Sequence, residues 1–375
     1  MFPKPDVRHP ISAHELDAAR AVAAMRGVDL EIIVPLPLRA LRGAASWMGR
    51  NGWKDAVDDA IRAIEPKPTV IPFLPVPRRS YQSAAMAVAA SLIARPPARR
   101  PKLVEGCRLD VAGFCATFVA RSLEVPSIAV AWSGDLSALQ RLEGPRRRRA
   151  RFAFDRATYL ATVCRSMAVG LAELGRAAEV IPFGPSTRTF SPSPRNGGPV
   201  LFVGTIGHSR RVDVLLDAMA LLPELSLLLV GAIEPGFDLP FELRRRGLGE
   251  RVSQRLPCEP SELAASYAAC SVVVVPGRSE GVPPSMIEAL LSGRPVVATA
   301  SPSATEVIDE AVGRRVTGDD LEAWRDAIRT CATQTFDPSK LRAKGLEFSG
   351  DVTADRLTEL TARALSLDVP RAELR

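Results

Sequence analysis

Aromatic side chains make up only 5% of this chain of 375 residues, and histidine occurs three times, at His9, His14 and His208. With so few aromatics and no recognisable RNA- or DNA-binding signature, nucleic acid is not the expected partner. The cysteines, Cys107, Cys115, Cys164, Cys258, Cys270 and Cys331, lie scattered without a Cys-x-x-Cys pair, so a zinc site is not expected either. Several sit in apolar runs and read as reduced, buried thiols. No stretch of about 18 apolar residues is present that could span a membrane. The opening residues Met1-Phe2-Pro3-Lys4-Pro5-Asp6 lack the apolar core of a signal peptide, and a cytoplasmic protein is expected.

What the chain does have is a 46% hydrophobic complement over a length that calls for about two domains. Its charge is divided unevenly. Residues 1–190 carry 28 Lys and Arg against 17 Asp and Glu, a net +11, whereas residues 191–375 carry 21 against 25, a net −4. A basic first half suggests an anionic partner, for which a membrane surface suits better than nucleic acid; the plain alternative is general arginine enrichment with no partner. The densest cluster, Arg146-Arg147-Arg148-Arg149 with Arg151, follows Gly144-Pro145 and reads as an exposed loop or helix start.

Strand-like and helix-like segments alternate, which implies parallel sheets covered on both faces. In the first half, a helix over about 12–26 opens on the capping box Ser12/Glu15. Strands are predicted at Leu30–Val34 (stopped by Pro35 and Pro37), Thr69–Phe73, Lys102–Gly106, Ser127–Ala131 and Ala178–Pro182, with helices over 80–94, 111–123 and 155–174. A Gly-, Ser- and Pro-rich linker fills 183–199. The pattern then restarts, with strands at Val200–Gly204, Ser226–Gly231, Ser271–Val275 and Pro295–Thr299 and helices over 212–222, 261–269 and 284–292. The fold class predicted is α/β, with two Rossmann-like domains at 1–190 and 191–340 and a C-terminal helical segment, 341–375, packing back toward the first. Ligands of such sheets bind beyond the C-terminal ends of the strands, where Gly204, Gly231 and Glu280 fall.

Two segments there carry chemistry. Ser279-Glu280-Gly281-Val282-Pro283-Pro284-Ser285-Met286-Ile287-Glu288-Ala289-Leu290 leaves a buried-looking strand and enters a short helix, with two carboxylates separated by seven residues. Pro284 suits the first helical position, and the free amides and dipole of that helix end form a site for phosphate. A carboxylate beside it can accept hydrogen bonds from sugar or ribose hydroxyls, although the same acids also fit a merely solvated strand–loop–helix unit. Gly204-Thr205-Ile206-Gly207-His208-Ser209-Arg210-Arg211 leaves another strand; a dinucleotide fingerprint would need a third glycine, and a turn aiming one guanidinium at a diphosphate is the better reading. No Asp-x-Asp metal motif occurs in the central loops.

Taken in order, these motifs resemble the retaining GT-B glycosyltransferases of glycosyltransferase family 4, whose two domains face each other across a cleft. Gly293-Arg294-Pro295-Val296-Val297-Ala298, Ala311-Val312-Gly313, Val125–Val130 with Gly134-Asp135, and Val180-Ile181-Pro182-Phe183-Gly184 extend the resemblance along nearly the whole chain. It implies Glu280 and Arg210 as catalytic residues, with Glu280 near the transferred sugar. It implies Gly204, Thr205, Arg211, Gly281, Pro284, Ser285 and Glu288 as donor-binding residues, Glu288 taking the ribose hydroxyls, and Trp132, Ser133 and Asp135 on the acceptor side. The partners implied are a nucleotide sugar and a glycan or lipid-linked acceptor, with no metal and no further cofactor; the charge of the basic half separately suggests a peripheral place at the inner membrane face.

The chain departs from the family pattern in both halves. Trp132-Ser133 replaces a histidine often found there, Phe183 an asparagine, and Pro10–His14 the glycine-rich loop of the first domain. Thr205 stands in place of a frequent arginine and Arg210 in place of a lysine, while Pro257-Cys258 occupies a place where amides often bind the base. Two other readings remain open at this point: a non-catalytic protein of the same fold that binds a nucleotide sugar or glycan as partner of another enzyme, and a sugar-nucleotide epimerase of the same architecture, against which the Glu280–Glu288 spacing argues.

Overall fold

The computed structural model describes residues 29–37, 69–73, 80–140, 143–194, 197–256 and 260–366. The helix predicted over 12–26 and the segment Pro10–His14 lie outside them, as does Pro257-Cys258. The chain divides into two compact units: the first takes the described residues through Val163, then Met167–Ile181 and the chain from Thr353, and the second takes Cys164–Ser166 and Pro182–Val352.

The first unit holds two parallel sheets. One pairs β1 (Ile33–Pro37) with β2 (Thr69–Phe73). The sequence placed this first strand at Leu30–Val34 and stopped it at Pro35; instead the strand runs through both prolines. The register explains the tolerance. The Thr69 amide donates to the Ile32 carbonyl, so even-numbered residues of β1 turn their polar groups toward β2, and Pro35 and Pro37 place their missing N–H on the opposite side. The other sheet runs β3 (Val104–Cys107), β4 (Ser127–Ala131), β5 (Tyr159–Thr162) and β6 (Glu179–Val180) in sequence order. Its helices are α1 (Ser80–Ile93), α2 (Phe114–Leu123), α3 (Asp135–Gln140), α4 (Pro145–Arg156) and α5 (Arg165–Glu173).

A single helix over 155–174 is therefore corrected to α4, strand β5 and α5. Leu160, Ala161 and Thr162 are buried between neighbours on both sides, and Ala and Leu, good helix formers, sit in a strand because sheet pairing with β4 and β6 outweighs their propensity. The arginine cluster is helical: Gly144, at φ +89°, precedes Pro145 at the first helical position.

The second unit is one six-stranded parallel sheet, β12-β11-β10-β7-β8-β9, made of β7 (Val200–Val203), β8 (Leu227–Val230), β9 (Val252–Arg255), β10 (Val272–Val275), β11 (Val296–Thr299) and β12 (Gly313–Val316). Counted within the unit, the order is 3-2-1-4-5-6, the doubly wound arrangement whose ligand crevice opens where the winding reverses, here between β7 and β10. β8, β10 and β11 are buried along their whole length and are written almost entirely in Val and Leu, as strands covered on both faces require. Around them pack α6 (Val212–Ala220), α7 (Leu239–Arg245), α8 (Pro260–Ala269), α9 (Pro284–Leu291), α10 (Pro302–Val307), α11 (Leu321–Thr333) and α12 (Pro338–Leu346). The last helix, α13 (Gly350–Ser366), groups with the first unit from Thr353 on: Arg356 donates to the Val180 carbonyl at 2.8 Å, and Arg363 pairs with Glu179.

Candidate functional site

The crevice between β7 and β10 is flanked by the loops that leave these two strands. The first begins with a close backbone approach. Gly204 and Gly231 end β7 and β8 at φ +146° and +154°, and a Cβ on Gly231 would stand 1.8 Å from the Gly204 carbonyl oxygen. No side chain fits there. The chain then passes the exposed Thr205 and the buried Ile206, which bridges to Ile233, and makes one tight turn at His208–Arg210 before α6. His208 lies outward, 3.6 Å from the Asp213 carboxylate and edge-on to Phe237.

The two arginines of this turn have different fates. Arg211 sits in the left-handed region at φ 55°, which costs a non-glycine residue about 1–2 kcal/mol. Its guanidinium turns inward, donating at 3.2 Å to the Pro276 carbonyl and at 3.2 Å to Thr299 Oγ1, and pairing with Asp319. It thus ties together the segments that follow β7, β10, β11 and β12. Burial, and after it the neighbouring Arg278, hold Arg211 below the usual arginine range. Arg210 is exposed, and among the described residues its side chain makes no hydrogen bond or ion pair. It lies along Gly277, where a Cβ would be 3.6 Å from the Arg210 Cδ.

The second loop, 276–283, brings Gly277, the exposed Arg278, and the half-buried Glu280 to the same strand edge, followed by the buried Gly281. Pro283 and Pro284 then start α9 without a side-chain cap, so Ser285 contributes the first helical amide. The Met286 amide folds back onto the Pro283 carbonyl at 3.0 Å. Glu288, one turn further, is 6% exposed and accepts a 2.6 Å hydrogen bond from the Tyr267 hydroxyl. It is not a solvated surface acid.

Gly204, Thr205, Arg210, Arg211, Glu280, Gly281, Pro284, Ser285 and Glu288 are therefore gathered on the two elements that border the crevice. Trp132, Ser133 and Asp135 belong to the first unit, at the end of β4. Asp135 is 2% exposed, and its Oδ2 accepts from the amides of Leu109 at 3.0 Å and Trp132 at 2.9 Å, pinning the segments after β3 and β4 together. Burial pushes its carboxyl up to about 6, against the two amides that lower it. Sequence reasoning missed Arg278, Thr299, Asp319 and Tyr267. Arg278 directly precedes the Ser-Glu-Gly run and was legible as a third cation; the other three join the site only through tertiary contacts. No group of three or more His, Cys, Asp or Glu among the described residues has the placement of a metal site.

Residues 198–334 match the family model described as Glycosyl transferases group 1. Over 95% of its length the chain superposes on Anabaena Alr3699/HepE in complex with UDP-glucose, with a TM-score of 0.72, 18% identity and 97% of that chain covered. Sucrose-phosphate synthase from Thermosynechococcus elongatus gives a TM-score of 0.64 at 21% identity, over 80% of this chain and 84% of that one. The fold is GT-B. At these identities the likeness establishes the GT-B architecture and nothing about substrates. Among curated proteins, the D-inositol 3-phosphate glycosyltransferase of Mycolicibacterium smegmatis is 32% identical over 177 residues, 44% of this chain and 40% of that protein. The one from Nocardia farcinica is 34% identical over 185 residues, again 44% and 40%. These matches span about two fifths of the relatives' length.

Proposed function

We propose that the chain is a glycosyltransferase that moves a hexose from a nucleotide-diphosphate sugar to a hydroxyl of a glycan or lipid-linked acceptor, with retention at the anomeric carbon and without a metal ion. The observation that carries this reading is the meeting of Arg210, Arg278, an uncapped helix start and the buried Glu288 at the strand-order reversal of a GT-B sheet. As the bond from sugar to diphosphate breaks, negative charge grows on the leaving phosphates while the sugar approaches an oxocarbenium ion. Arg210, held along Gly277, and the amides of Gly281, Val282 and Ser285 supply fixed positive potential to that charge, and groups already in place stabilise it without reorganising. Glu280 serves the transferred sugar, and Glu288 accepts the ribose hydroxyls. The UDP and UDP-glucose held by the Anabaena neighbour make UDP-glucose the first donor to try.

One further reading draws on a specific observation. Asp135 spends its carboxylate on backbone amides, and Trp132-Ser133 stands beside it where a histidine is common in the family resembled. A nucleotide-sugar-binding partner of another enzyme, itself non-catalytic, would tolerate both. Incubating the purified chain with UDP-glucose, GDP-mannose and ADP-glucose separates the two. The transferase reading expects slow donor hydrolysis or transfer that survives EDTA; binding without any turnover favours the partner, and activity lost on chelation and restored by Mn²⁺ or Mg²⁺ contradicts metal independence.

For the basic first half we propose a cytoplasmic, peripheral position on an anionic membrane face. Among the described residues no helix is long and apolar enough to cross a membrane.

A further inference from the structure

Backbone conformation does not call for a glycine at Gly207. Its φ of 170° is extended and open to any residue. Space calls for it instead. A Cβ on the buried Gly207 would overlap Glu234 Oε2 and stand 2.5 Å from the Glu234 Cβ, so no side chain fits beneath this half-buried glutamate.

The Glu234 carboxylate arrives there at the end of a backbone seam. Beyond the glycines that close β7 and β8, the Ile206 amide donates to the Ala232 carbonyl at 2.8 Å, and the Glu234 amide donates to the Ile206 carbonyl at 2.8 Å. Among the described residues no further backbone pairing joins the two segments. The side chain continues the seam, with Glu234 Oε2 accepting from the Ser209 amide at 3.0 Å. Ser209 is the middle residue of the His208–Arg210 turn, so the carboxylate grips that turn directly beside Arg210. The gripping segment is itself held: the Phe237 amide donates to the Glu234 carbonyl at 3.0 Å, and the Phe237 ring stands edge-on to His208. The Ser209 amide above all, then the Ser209 hydroxyl and His208, hold the Glu234 carboxyl below its ordinary range against the effect of burial. A bond from an N–H to an ionised carboxylate is among the stronger hydrogen bonds of a protein.

We propose that Glu234 is a positioning residue for the donor diphosphate: bound to the Ser209 amide over the bare Gly207, it sets where the turn presents Arg210. This role rests on the donor-site reading of Arg210 given above. The Arg210 side chain makes no hydrogen bond or ion pair among the described residues, so its place follows from the backbone that carries it and from Gly277, along which it lies. Arg211 ties the turn to the segments after β10, β11 and β12. Glu234 supplies the tie from the β8 side.

The test uses the full chain and whichever of UDP, GDP and ADP binds it in calorimetry. Glu234→Ala is expected to weaken that nucleotide about tenfold, the lower end of what a hydrogen bond to an ionised group contributes. Glu234→Gln keeps an acceptor for the Ser209 amide and should stay within about twofold of wild type. Equal losses in these two variants overturn the proposal. Because Glu234 acts through Arg210, the two changes should not add: Glu234→Ala/Arg210→Ala should bind as Arg210→Ala does, within about twofold. Gly207→Ala displaces the carboxylate and should repeat the loss of Glu234→Ala; wild-type affinity in it overturns the proposal. A merely structural glutamate would lower the melting temperature and leave affinity as in wild type, or give a loss that adds in full to that of Arg210→Ala; either result overturns the proposal. Where Glu234→Ala does not fold, Glu234→Asp, whose carboxylate stops one methylene short of the Ser209 amide, takes its place in the cycle. If no nucleotide binds wild type, or Arg210→Ala binds as well as wild type, the donor reading itself falls. If Arg210→Ala loses binding while Glu234→Ala keeps it, only the role of Glu234 falls.

Discussion

The ends of the strands are furnished differently in the two units. After β3 and β4 in the first unit, charged side chains turn back onto the protein. Arg146 pairs with the Asp110 carboxylate at 2.8 Å, Arg149 donates to the Asp110 carbonyl at 2.7 Å and stacks over Tyr81, and Asp135 takes two amides. After β7 and β10 in the second unit, Arg211 is used in this way, but not every charge is. Arg210 is exposed, Arg278 makes only a 3.4 Å contact, with Asp319, among the described residues, and α9 starts without a side-chain cap. Charge satisfied internally builds a loop, whereas charge left facing outward at a strand-order reversal builds a binding site. The net charge of the halves, +11 and −4, points the other way and would have put the anion site in the first half.

The largest effect that would break this contrast comes from Glu288 and Arg210. Replacing either by alanine should weaken nucleotide-sugar binding by about 1.5–3 kcal/mol, the range for charge-assisted hydrogen bonds; the melting temperature should change little in Arg210→Ala and fall in Glu288→Ala, which strands the buried Tyr267 hydroxyl. Calorimetry beside a thermal melt reads both quantities. Arg211→Ala should behave in the opposite sense. It removes the tie to Pro276, Thr299 and Asp319, so stability falls by about 1–3 kcal/mol in urea unfolding. Affinity loss without instability in Arg211→Ala would mean that this residue, too, faces the ligand.

A pH experiment sharpens the other side. The native Asp135 carboxyl is raised to about 6 from an ordinary 3.8, so between these values the folded state binds more protons than the unfolded one. This group's contribution to stability is therefore best at acid pH and declines as pH rises from about 4 to 6. Asp135→Asn keeps an oxygen for both amides and removes the titration. The variant should gain on wild type by about 1–3 kcal/mol over that interval and hold a constant difference above it. A difference that is flat across the whole range would contradict the buried-pin role.

How far the sequence announced all this differs between the same regions. β10 is four consecutive valines and α9 opens on two prolines, so that strand, loop and helix were readable, as were Gly204 and the Glu280/Glu288 pair. β9, Val-Ser-Gln-Arg at a sheet edge, has no apolar alternation to betray it, and β5 reads as helix because Leu and Ala leave the choice to its neighbours. The division of labour between Arg210 and Arg211 was legible only as a 100° difference in direction along a helix. Which one turns inward depends on Thr299 and Asp319, 88 and 108 residues away from Arg211.

The smallest expected effect concerns the arginine cluster. With Arg146 and Arg149 engaged on Asp110, only the exposed Arg147 and Arg148 remain of the run to meet a surface. Flotation with anionic vesicles should be weak, should fade toward 1 M salt, where the Debye length is about 3 Å, and should drop further in Arg147→Ser/Arg148→Ser. No flotation at low salt would make α4 a solvated face.

Calorimetric titration of UDP-glucose, GDP-mannose and ADP-glucose into wild type and Arg210→Ala tests the central claim most directly. One of the three should bind wild type and lose at least about tenfold in affinity to the variant, whose melting temperature matches the parent's. Equal affinity in the two proteins, or no binding of any sugar nucleotide to wild type, would contradict a donor site at the β7–β10 crevice.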